Sequence, residues 1–321
     1  MTDQPLRGKA WLFGDDISTD HIAPGRHSTD LLADAAVAFL TGRHSAKPFL
    51  AYVSFLAPHD PRTMPQEYRD MYDPEDIELP PNFMGGHPFD SGNLGGRDEE
   101  LERWPRTPEA IRRHIAEYYA MITHADAAVG RILQALKDAG QYENTVVVFA
   151  GDNGLSLGQH GLMGKQDVYE HSVRVPLIFA GPGVPAGEWR EQYAYLYDIF
   201  PTLCELCGLD APASVEGMSL APALADPASP TRGTLYHAFM HLQRAVKDDR
   251  YKLIEYCVRG RRTTQLFDLE EDPWELRDLS ADPNHAETLD ELRYELSGWR
   301  DRTDDPGGVE AKEPFWETYG S

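Results

Sequence analysis

The chain has 321 residues and carries 53 acidic side chains against 30 basic ones, which gives a formal net charge of −23. This negative charge opposes binding to nucleic acid or to an anionic membrane, because both partners are themselves polyanions. No apolar run is long enough for a transmembrane helix, and the first thirty residues lack a signal-peptide core, so we expect a cytoplasmic protein. Three cysteines are too few to build a disulfide framework.

Helix and strand signals alternate through the first part of the chain. The residues from Ser28 onward are typical of a helix start, and Gly42 stands at the stop position. A continuous apolar run between Phe49 and Ala57 then predicts a strand buried on both faces. Residues 60–106 are rich in proline, glycine and charge and show no sustained period. We predict a long irregular excursion there, of the kind that is often functional.

A second helix is predicted from Thr107 to Gly140, since proline stands in its first turn and glycine at its end. Two further apolar runs, at 146–149 and 175–180, predict strands. Because helices and strands alternate, the body is expected to be α/β, with a largely parallel sheet flanked by helices.

Beyond residue 230 the pattern changes to short strands at close spacing, followed by a helix near 285–300. Such spacing indicates a small antiparallel α+β subdomain. The strands are predicted near residues 235–239, 243–247, 250–256 and 264–268. The predicted domains are an atypical head, an α/β body and a C-terminal antiparallel subdomain, at residues 1–27, 28–230 and 231–321.

Polar side chains follow two of the predicted strands. Asp152 and Asn153 come directly after the apolar run at 146–149. In open α/β sheets, ligands bind beyond the carboxyl ends of strands, and a carboxylate beside an amide oxygen suits Ca²⁺ or Mg²⁺. Taken alone, Asn153-Gly154 fits a hairpin turn equally well. His59 ends the earlier strand, so the fold could bring His59 and Asp152 to one edge of a sheet.

Ser156 lies at the centre of a G-x-S-x-G pattern, Gly154 to Gly158. In serine hydrolases this turn leads from a strand straight into a helix, which holds the serine exposed. Here further glycines and turn residues follow, so no helix can begin at once. We do not expect Ser156 to be a nucleophile.

Three motifs together resemble a known family. They read APHDP at 57–61, GDNG followed by LGQHGLMGKQ at 151–166, and YEHSVRVPLIFAGPG at 169–183. In this order they resemble the sulfatases of the alkaline phosphatase superfamily, and the likeness continues to the C-terminus. The resemblance implies an alkaline phosphatase-like fold and hydrolysis of sulfate esters of small molecules or glycans.

The resemblance also implies roles for individual residues. Asp152 and Asn153 match the later pair of metal ligands, and the metal of the family is usually Ca²⁺. Lys165 matches the lysine that binds a sulfate oxygen, and His59 matches the histidine that contacts the sulfate or the leaving oxygen. His160 lies in the same loop as Lys165 and is a further candidate for substrate binding. A cation, an ammonium and an imidazole would stabilise charge where it develops in the transition state.

The nucleophile that the resemblance implies does not occur in this sequence. Sulfatases attack sulfur with a formylglycine made from the first residue of a C/S-x-P-x-R motif. None of the three cysteines begins such a motif, and the stretch from Ile22 to Arg26 has isoleucine in the nucleophile slot. Isoleucine cannot be oxidised to an aldehyde hydrate. We therefore expect the fold to be N-terminally incomplete and the chain to be inactive on its own.

Residues 8–26 instead resemble the opening of the small subunit of isopropylmalate dehydratase, which would make the head a fusion. Asp15 and Asp16 in it could imitate the early metal pair of sulfatases. Two further readings stay open. One is a phosphonate or phosphodiester hydrolase of the same superfamily. The other is a non-catalytic half-protein that needs a partner chain, or associates with itself, through an exposed sheet edge.

Overall fold

The computed structural model of the chain describes residues 9–13, 17–20, 25–43 and 47–305. The described residues belong to two compact units. The first is formed by the part up to residue 79 together with 108–145, and the second by 80–107 together with the part from 146 onward. The predicted division at residues 27 and 230 stays a prediction.

The first unit consists of helices and one small sheet. Its elements are β1 (Lys9–Phe13), β2 (Ile17–Asp20), α1 (Ser28–Gly42), β3 (Leu50–Val53), α2 (Gln66–Arg69) and α3 (Pro108–Asp138). β1 lies between β2 and β3 and pairs antiparallel with both. Helix α1 begins where the His27 ring nitrogen accepts the Thr29 N–H, and its apolar face packs on α3. The two helices predicted from capping signals are confirmed.

The second unit contains two sheets and four helices among the described residues. Its elements are β4 (Val147–Ala150), α4 (Glu170–Val173), β5 (Leu177–Ala180), α5 (Ile199–Leu206), α6 (Ala221–Ala225), β6 (Leu235–Phe239), β7 (Gln243–Lys247), β8 (Tyr251–Val258), β9 (Arg261–Asp268) and α7 (Ala286–Arg302). β6 to β9 form one antiparallel sheet in chain order. The predicted antiparallel C-terminal strands and their helix are confirmed.

Both faces of this C-terminal sheet are buried. One face places Ala245, Ile254 and Phe267 against Leu162 and Tyr169 of the loop that follows β4. Because successive strand residues point to opposite faces, the next positions along the strands belong to a second core. That second core holds Val246, Leu253 and Leu266 together with apolar residues of α7. The C-terminal sheet therefore supports the loop that contains the candidate site residues.

The sheet pairings correct one expectation. Within the described ranges every pairing between named strands is antiparallel, including that of β4 with β5. The reason lies in the segment between β4 and β5, which returns as a long hairpin instead of crossing the sheet through a helix. Backbone hydrogen bonds from Gly151 to Pro176, Gly154 to Ser172 and Leu155 to His171 extend the antiparallel pairing. A parallel pairing would have needed a crossover connection, usually a helix, and α4 has only four residues.

Of the predicted head, the structure describes the strands β1 and β2 and the residues from Gly25. Asp15, Asp16 and most of the stretch from Ile22 to Arg26 lie outside the described residues. The resemblance of the head to a dehydratase small subunit stays a prediction. Among the described residues, no helix is both long enough and apolar enough to cross a membrane.

Candidate functional site

Asp152 and Asn153 lie in an exposed turn that begins where β4 ends. The carboxylate of Asp152 accepts the backbone N–H of Asn153 at 2.9 Å. The side-chain amide nitrogen of Asn153 donates to the Gly154 carbonyl oxygen at 2.8 Å. Because the nitrogen is engaged inward, the amide oxygen of Asn153 is the atom left for a ligand. The turn thus exposes a carboxylate and an amide oxygen on consecutive residues, and their predicted role as metal ligands stays a prediction.

Gly154 is required by the close approach of the two limbs of the hairpin. A Cβ at this position would overlap the backbone carbonyl oxygen of His171. Any larger residue would force the limbs apart and break the hydrogen bonds from Gly154 and Leu155 to the opposite limb. Glycine here fixes the turn that presents Asp152 and Asn153.

Lys165 lies half-buried in the Gly-rich loop, eleven residues beyond Gly154 in the chain. Its backbone N–H donates to the side-chain oxygen of Gln166 at 3.1 Å. Its ammonium group makes no hydrogen bond or ion pair with any residue that the structure describes. An unpaired ammonium on a firmly packed loop is suited to bind an anion.

His59 lies in the first unit, in an exposed turn after β3. Its Nδ1 is 2.8 Å from the carbonyl oxygen of Asp60 and 3.3 Å from the Asp60 carboxylate. These contacts fix the orientation of the ring and leave Nε2 as the nitrogen available for a ligand. The predicted approach of His59 to Asp152 stays a prediction.

His160 is only 3% exposed and adopts a positive φ of 50°. Its ring stacks on Tyr169 with 4.0 Å between centroids, and its Nε2 lies 3.2 Å from the side-chain nitrogen of Asn82. Burial, reinforced by the neighbouring His171, lowers the pKa of His160 to about 3, so the ring is neutral. The structure thus describes His160 in a supporting position, and its contact with substrate stays a prediction.

His160, His171 and Glu275 form a group in which one candidate ligand atom from each residue lies within 4.8 Å of the others. Two imidazoles and a carboxylate suit Zn²⁺ better than a hard cation such as Ca²⁺. Both oxygens of Glu275 are already engaged, one by the Lys252 ammonium at 2.8 Å and one by the Glu170 N–H at 2.8 Å. A divalent cation would lie beside a buried ammonium, so we assign this group to the supporting framework.

Ser156 and His171 are in contact, with 2.7 Å between Oγ and Nε2. Asp167 completes a Ser-His-Asp group but approaches the same nitrogen, Nε2, at 3.4 Å. In a catalytic triad the acid instead holds the other ring nitrogen, so that Nε2 faces the serine as a base. Ser156 is also fully buried. The arrangement agrees with the expectation that Ser156 is not a nucleophile.

Sequence reasoning missed the residues that hold the Lys165 loop. Asp98, Glu99 and Arg106 lie in the stretch predicted to be irregular, yet all three are buried and contact residues between 161 and 166. No periodic pattern marks them. A charged cluster before a helix is more often solvated, so only the three-dimensional contacts identify these residues.

Comparison with known proteins decides the family. A family model described as sulfatase matches residues 3–209, which is more than half of the chain. A second model, described as the C-terminal part of N-sulphoglucosamine sulphohydrolase, matches residues 158–302. The chain belongs to the sulfatase family. The predicted membership of the alkaline phosphatase superfamily and the predicted α/β fold class are therefore confirmed.

Individual relatives agree with this assignment. This sulfatase-family chain is 33% identical over 281 residues to an arylsulfatase of Clostridium perfringens, covering 83% of the chain and 56% of the relative. It is 31% identical over 250 residues to a choline-sulfatase of Rhizobium meliloti, and the match covers 74% of this chain and 48% of the relative. Its fold matches a phosphonate monoester hydrolase from Silicibacter pomeroyi with a TM-score of 0.73 and 26% identity. This match covers 86% of the present chain and 60% of the hydrolase.

The sulfatase-family chain spans about half the length of the curated relatives it matches. Their names describe sulfuric ester hydrolases, and sulfatases generally bind a divalent metal. The candidate residues of this chain are oxygen ligands at Asp152 and Asn153, an ammonium at Lys165 and an imidazole at His59.

Proposed function

We propose that this chain carries the cation-binding and anion-binding part of a sulfate ester hydrolase. The observation that carries the proposal is the loop after β4. It exposes Asp152 and Asn153 and holds an ammonium, Lys165, that makes no hydrogen bond or ion pair with the residues that the structure describes. A sulfate ester is a small anion, and a protein with a net charge of −23 needs such local positive charge to bind it.

A divalent cation, by family usually Ca²⁺, would be held by Asp152 and Asn153. The donor set fits, because both residues offer oxygen atoms and the Asn153 nitrogen is directed away toward Gly154. When bound, the ion would neutralise charge on the sulfate and polarise the S–O bonds. Asp152 would supply the negative charge that retains the ion, and Asn153 a neutral oxygen ligand.

Lys165 and His59 would act on the substrate oxygens. The Lys165 ammonium would bind a sulfate oxygen, and its charge would count for more as negative charge increases in the transition state. The Nδ1–H of His59 donates to Asp60, so Nε2 would donate a hydrogen bond to the leaving oxygen when the ring is doubly protonated. These roles follow from the chemistry of the side chains and from their match to the family motif.

The nucleophile is the part that this chain does not supply, since no C/S-x-P-x-R motif occurs in its sequence. We therefore expect the full chain to bind inorganic sulfate in the presence of Ca²⁺ but not to turn over a chromogenic aryl sulfate. The assay compares the wild type with His59→Ala and counts product per protein molecule. Multiple turnovers above the His59→Ala background would contradict the proposal that the chain is inactive alone.

A second candidate is a phosphonate monoester or phosphodiester hydrolase. It is favoured by the fold match to the phosphonate monoester hydrolase from Silicibacter pomeroyi. The same residues could bind a phosphonate ester, because it has a similar size and charge. Competition between sulfate and a phenylphosphonate for the Ca²⁺-loaded chain distinguishes the two, and tighter binding of the phosphonate would favour this second candidate.

The third proposal is that the chain associates with a partner chain, or with a second copy of itself, through an exposed sheet. β4 and β5 form a sheet of two strands, and the directly opposed residues Phe149 and Ile178 are 45% and 56% exposed. A two-stranded sheet with an apolar exposed pair is poorly stable by itself and invites further pairing. Elution of the chain as a compact monomer in gel filtration would count against self-association.

A further inference from the structure

The buried carboxylate of Glu99 anchors the loop that carries Lys165. Glu99 is 5% exposed and lies in a short 3₁₀ turn, Arg97–Leu101. Its side chain accepts the backbone N–H of Gly164 at 2.9 Å and that of Met163 at 3.1 Å. These are the two residues directly before Lys165. Glu99 therefore fixes the backbone from which the Lys165 side chain leaves.

Arg106 balances the charge of Glu99 inside the protein. Its guanidinium is buried, at 2% exposure, and contacts the Glu99 carboxylate at 2.7 Å. The same group donates to the carbonyl oxygens of Glu99, Glu102 and Gly161, and the Trp104 ring covers it at 3.7 Å. Such a bonded pair holds its geometry, because every displaced contact would leave a buried charge unsatisfied.

A second acid of the same turn holds the residue after Lys165. Asp98 accepts a hydrogen bond from the Gln166 side chain at 2.7 Å, and Gln166 in turn accepts the Lys165 N–H at 3.1 Å. Burial would raise the pKa of Asp98, but Gln166 and Arg97 outweigh it and hold the pKa below its ordinary value. A Cβ on Gly164 would collide with this network. Both neighbours of Lys165 are thus fixed while its ammonium stays unpaired among the described residues.

We propose that Glu99, with Arg106 as its counter-ion, is the positioning residue for Lys165 and presents that ammonium to the anionic group of the substrate. This inference rests on the proposed function, in which Lys165 binds a sulfate oxygen. The two carboxylates of the turn, Asp98 and Glu99, accept hydrogen bonds from amide, guanidinium and backbone groups, and neither forms a hydrogen bond or an ion pair with the Lys165 ammonium. The attraction between Lys165 and Asp98 acts through space and adds to the causes that lower the pKa of Asp98.

A merely structural role for Glu99 would lower stability without acting through Lys165. The two roles are separated by measuring sulfate affinity in a double-mutant cycle. The full chain, in Ca²⁺, is dialysed to equilibrium against ³⁵S-labelled inorganic sulfate as wild type, Glu99→Gln, Lys165→Ala and the double variant. Glu100→Gln is the matched control, since Glu100 belongs to the same turn but is exposed. Circular dichroism verifies that each variant is folded.

We expect Lys165→Ala and Glu99→Gln each to weaken sulfate binding by about tenfold, the scale of one charge-assisted hydrogen bond. The double variant should bind no more weakly than Lys165→Ala, and Glu100→Gln should bind like the wild type. An additive loss in the double variant, or wild-type affinity in Glu99→Gln, would overturn the positioning role alone. Wild-type affinity in Lys165→Ala would overturn the proposed function itself.

If Glu99→Gln does not fold, Glu99→Asp replaces it in the same cycle. It keeps a negative charge beside Arg106 but shortens the side chain that accepts the Met163 and Gly164 N–H groups. Weakened sulfate binding that is lost in the Lys165→Ala background would support the proposal. Unchanged binding would overturn it.

Discussion

Replacement of Lys252 by methionine is expected to lower the free energy of unfolding by about 3–5 kcal/mol, the cost of breaking a buried ion pair by removing one partner. Lys252 is fully buried and its ammonium lies 2.8 Å from Glu275 and 3.0 Å from Glu170. Methionine has nearly the same shape but leaves both carboxylates without this charge. The network joins α4 to β8, so it also fixes the end of the Gly-rich loop.

The pKa shifts agree with this assignment. Burial would raise the pKa of Glu170, but Lys252 and Lys247 outweigh it and lower the pKa to about 2. The pKa of Glu275 lies above its ordinary value because burial outweighs the attraction of Lys252. Once Lys252 is removed, Glu275 loses its cationic partner, so we expect its pKa to rise further.

Lys247→Met is the matched control for Lys252→Met, because Lys247 pairs with Glu170 but not with Glu275. Urea unfolding at neutral pH, followed by circular dichroism, gives the two free energies. We expect a clearly smaller loss for Lys247→Met, since Lys252 still neutralises Glu170. Equal losses, or a loss below about 1 kcal/mol for Lys252→Met, would show that the buried network contributes little.

Acidification from pH 7 to pH 5 is expected to lower the free energy of unfolding by about 4 kcal/mol through His160 and His237 alone, about 2 kcal/mol for each. Burial is the main cause that lowers the pKa of both His160 and His237 from 6.5 to about 3. The charges of His171 and Lys252, respectively, lower these values further. Both rings stay neutral at pH 5 in the folded chain.

The free energy of unfolding falls on acidification because the unfolded chain takes up more protons than the folded chain. Between pH 3 and pH 6.5 the unfolded chain binds a proton on each of these histidines and the folded chain does not, so acid favours unfolding in this window. Urea unfolding at pH 7 and at pH 5 measures the difference in the free energy of unfolding between the two pH values. His237→Leu removes one titrating group, and the loss of unfolding free energy between pH 7 and pH 5 should become smaller by about 2 kcal/mol. An unchanged difference in His237→Leu would show that His237 does not titrate as the structure implies.

Elements governed by local pattern were predictable from the sequence. Capping signals gave α1 and α3, and close turn spacing gave the strands from β6 to β9 with helix α7. These signals depend on neighbouring residues, so the distant fold does not alter them. The position of Asp152 and Asn153 after β4 was also predictable, because it needs only a strand and the turn that ends it.

Features set by distant contacts were not predictable. On α3 the apolar residue Ile122 is exposed, while the polar residue His124 of the same helix is buried against Asp30 and Tyr68. The pairing direction of β4 and β5 depends on how a 26-residue segment returns, and no local pattern encodes that. Glu99 and His160 likewise acquire their roles from residues far away in the chain.

The central claim is that the turn after β4 holds the cation. Its most direct test is crystallography of the chain soaked with Tb³⁺ as a substitute for Ca²⁺, together with sulfate, using anomalous scattering to locate the ion. We predict a peak at bonding distance, about 2.3–2.6 Å, from side-chain oxygens of Asp152 and Asn153. A peak at His160, His171 and Glu275 instead, or no peak at Asp152, would contradict the claim.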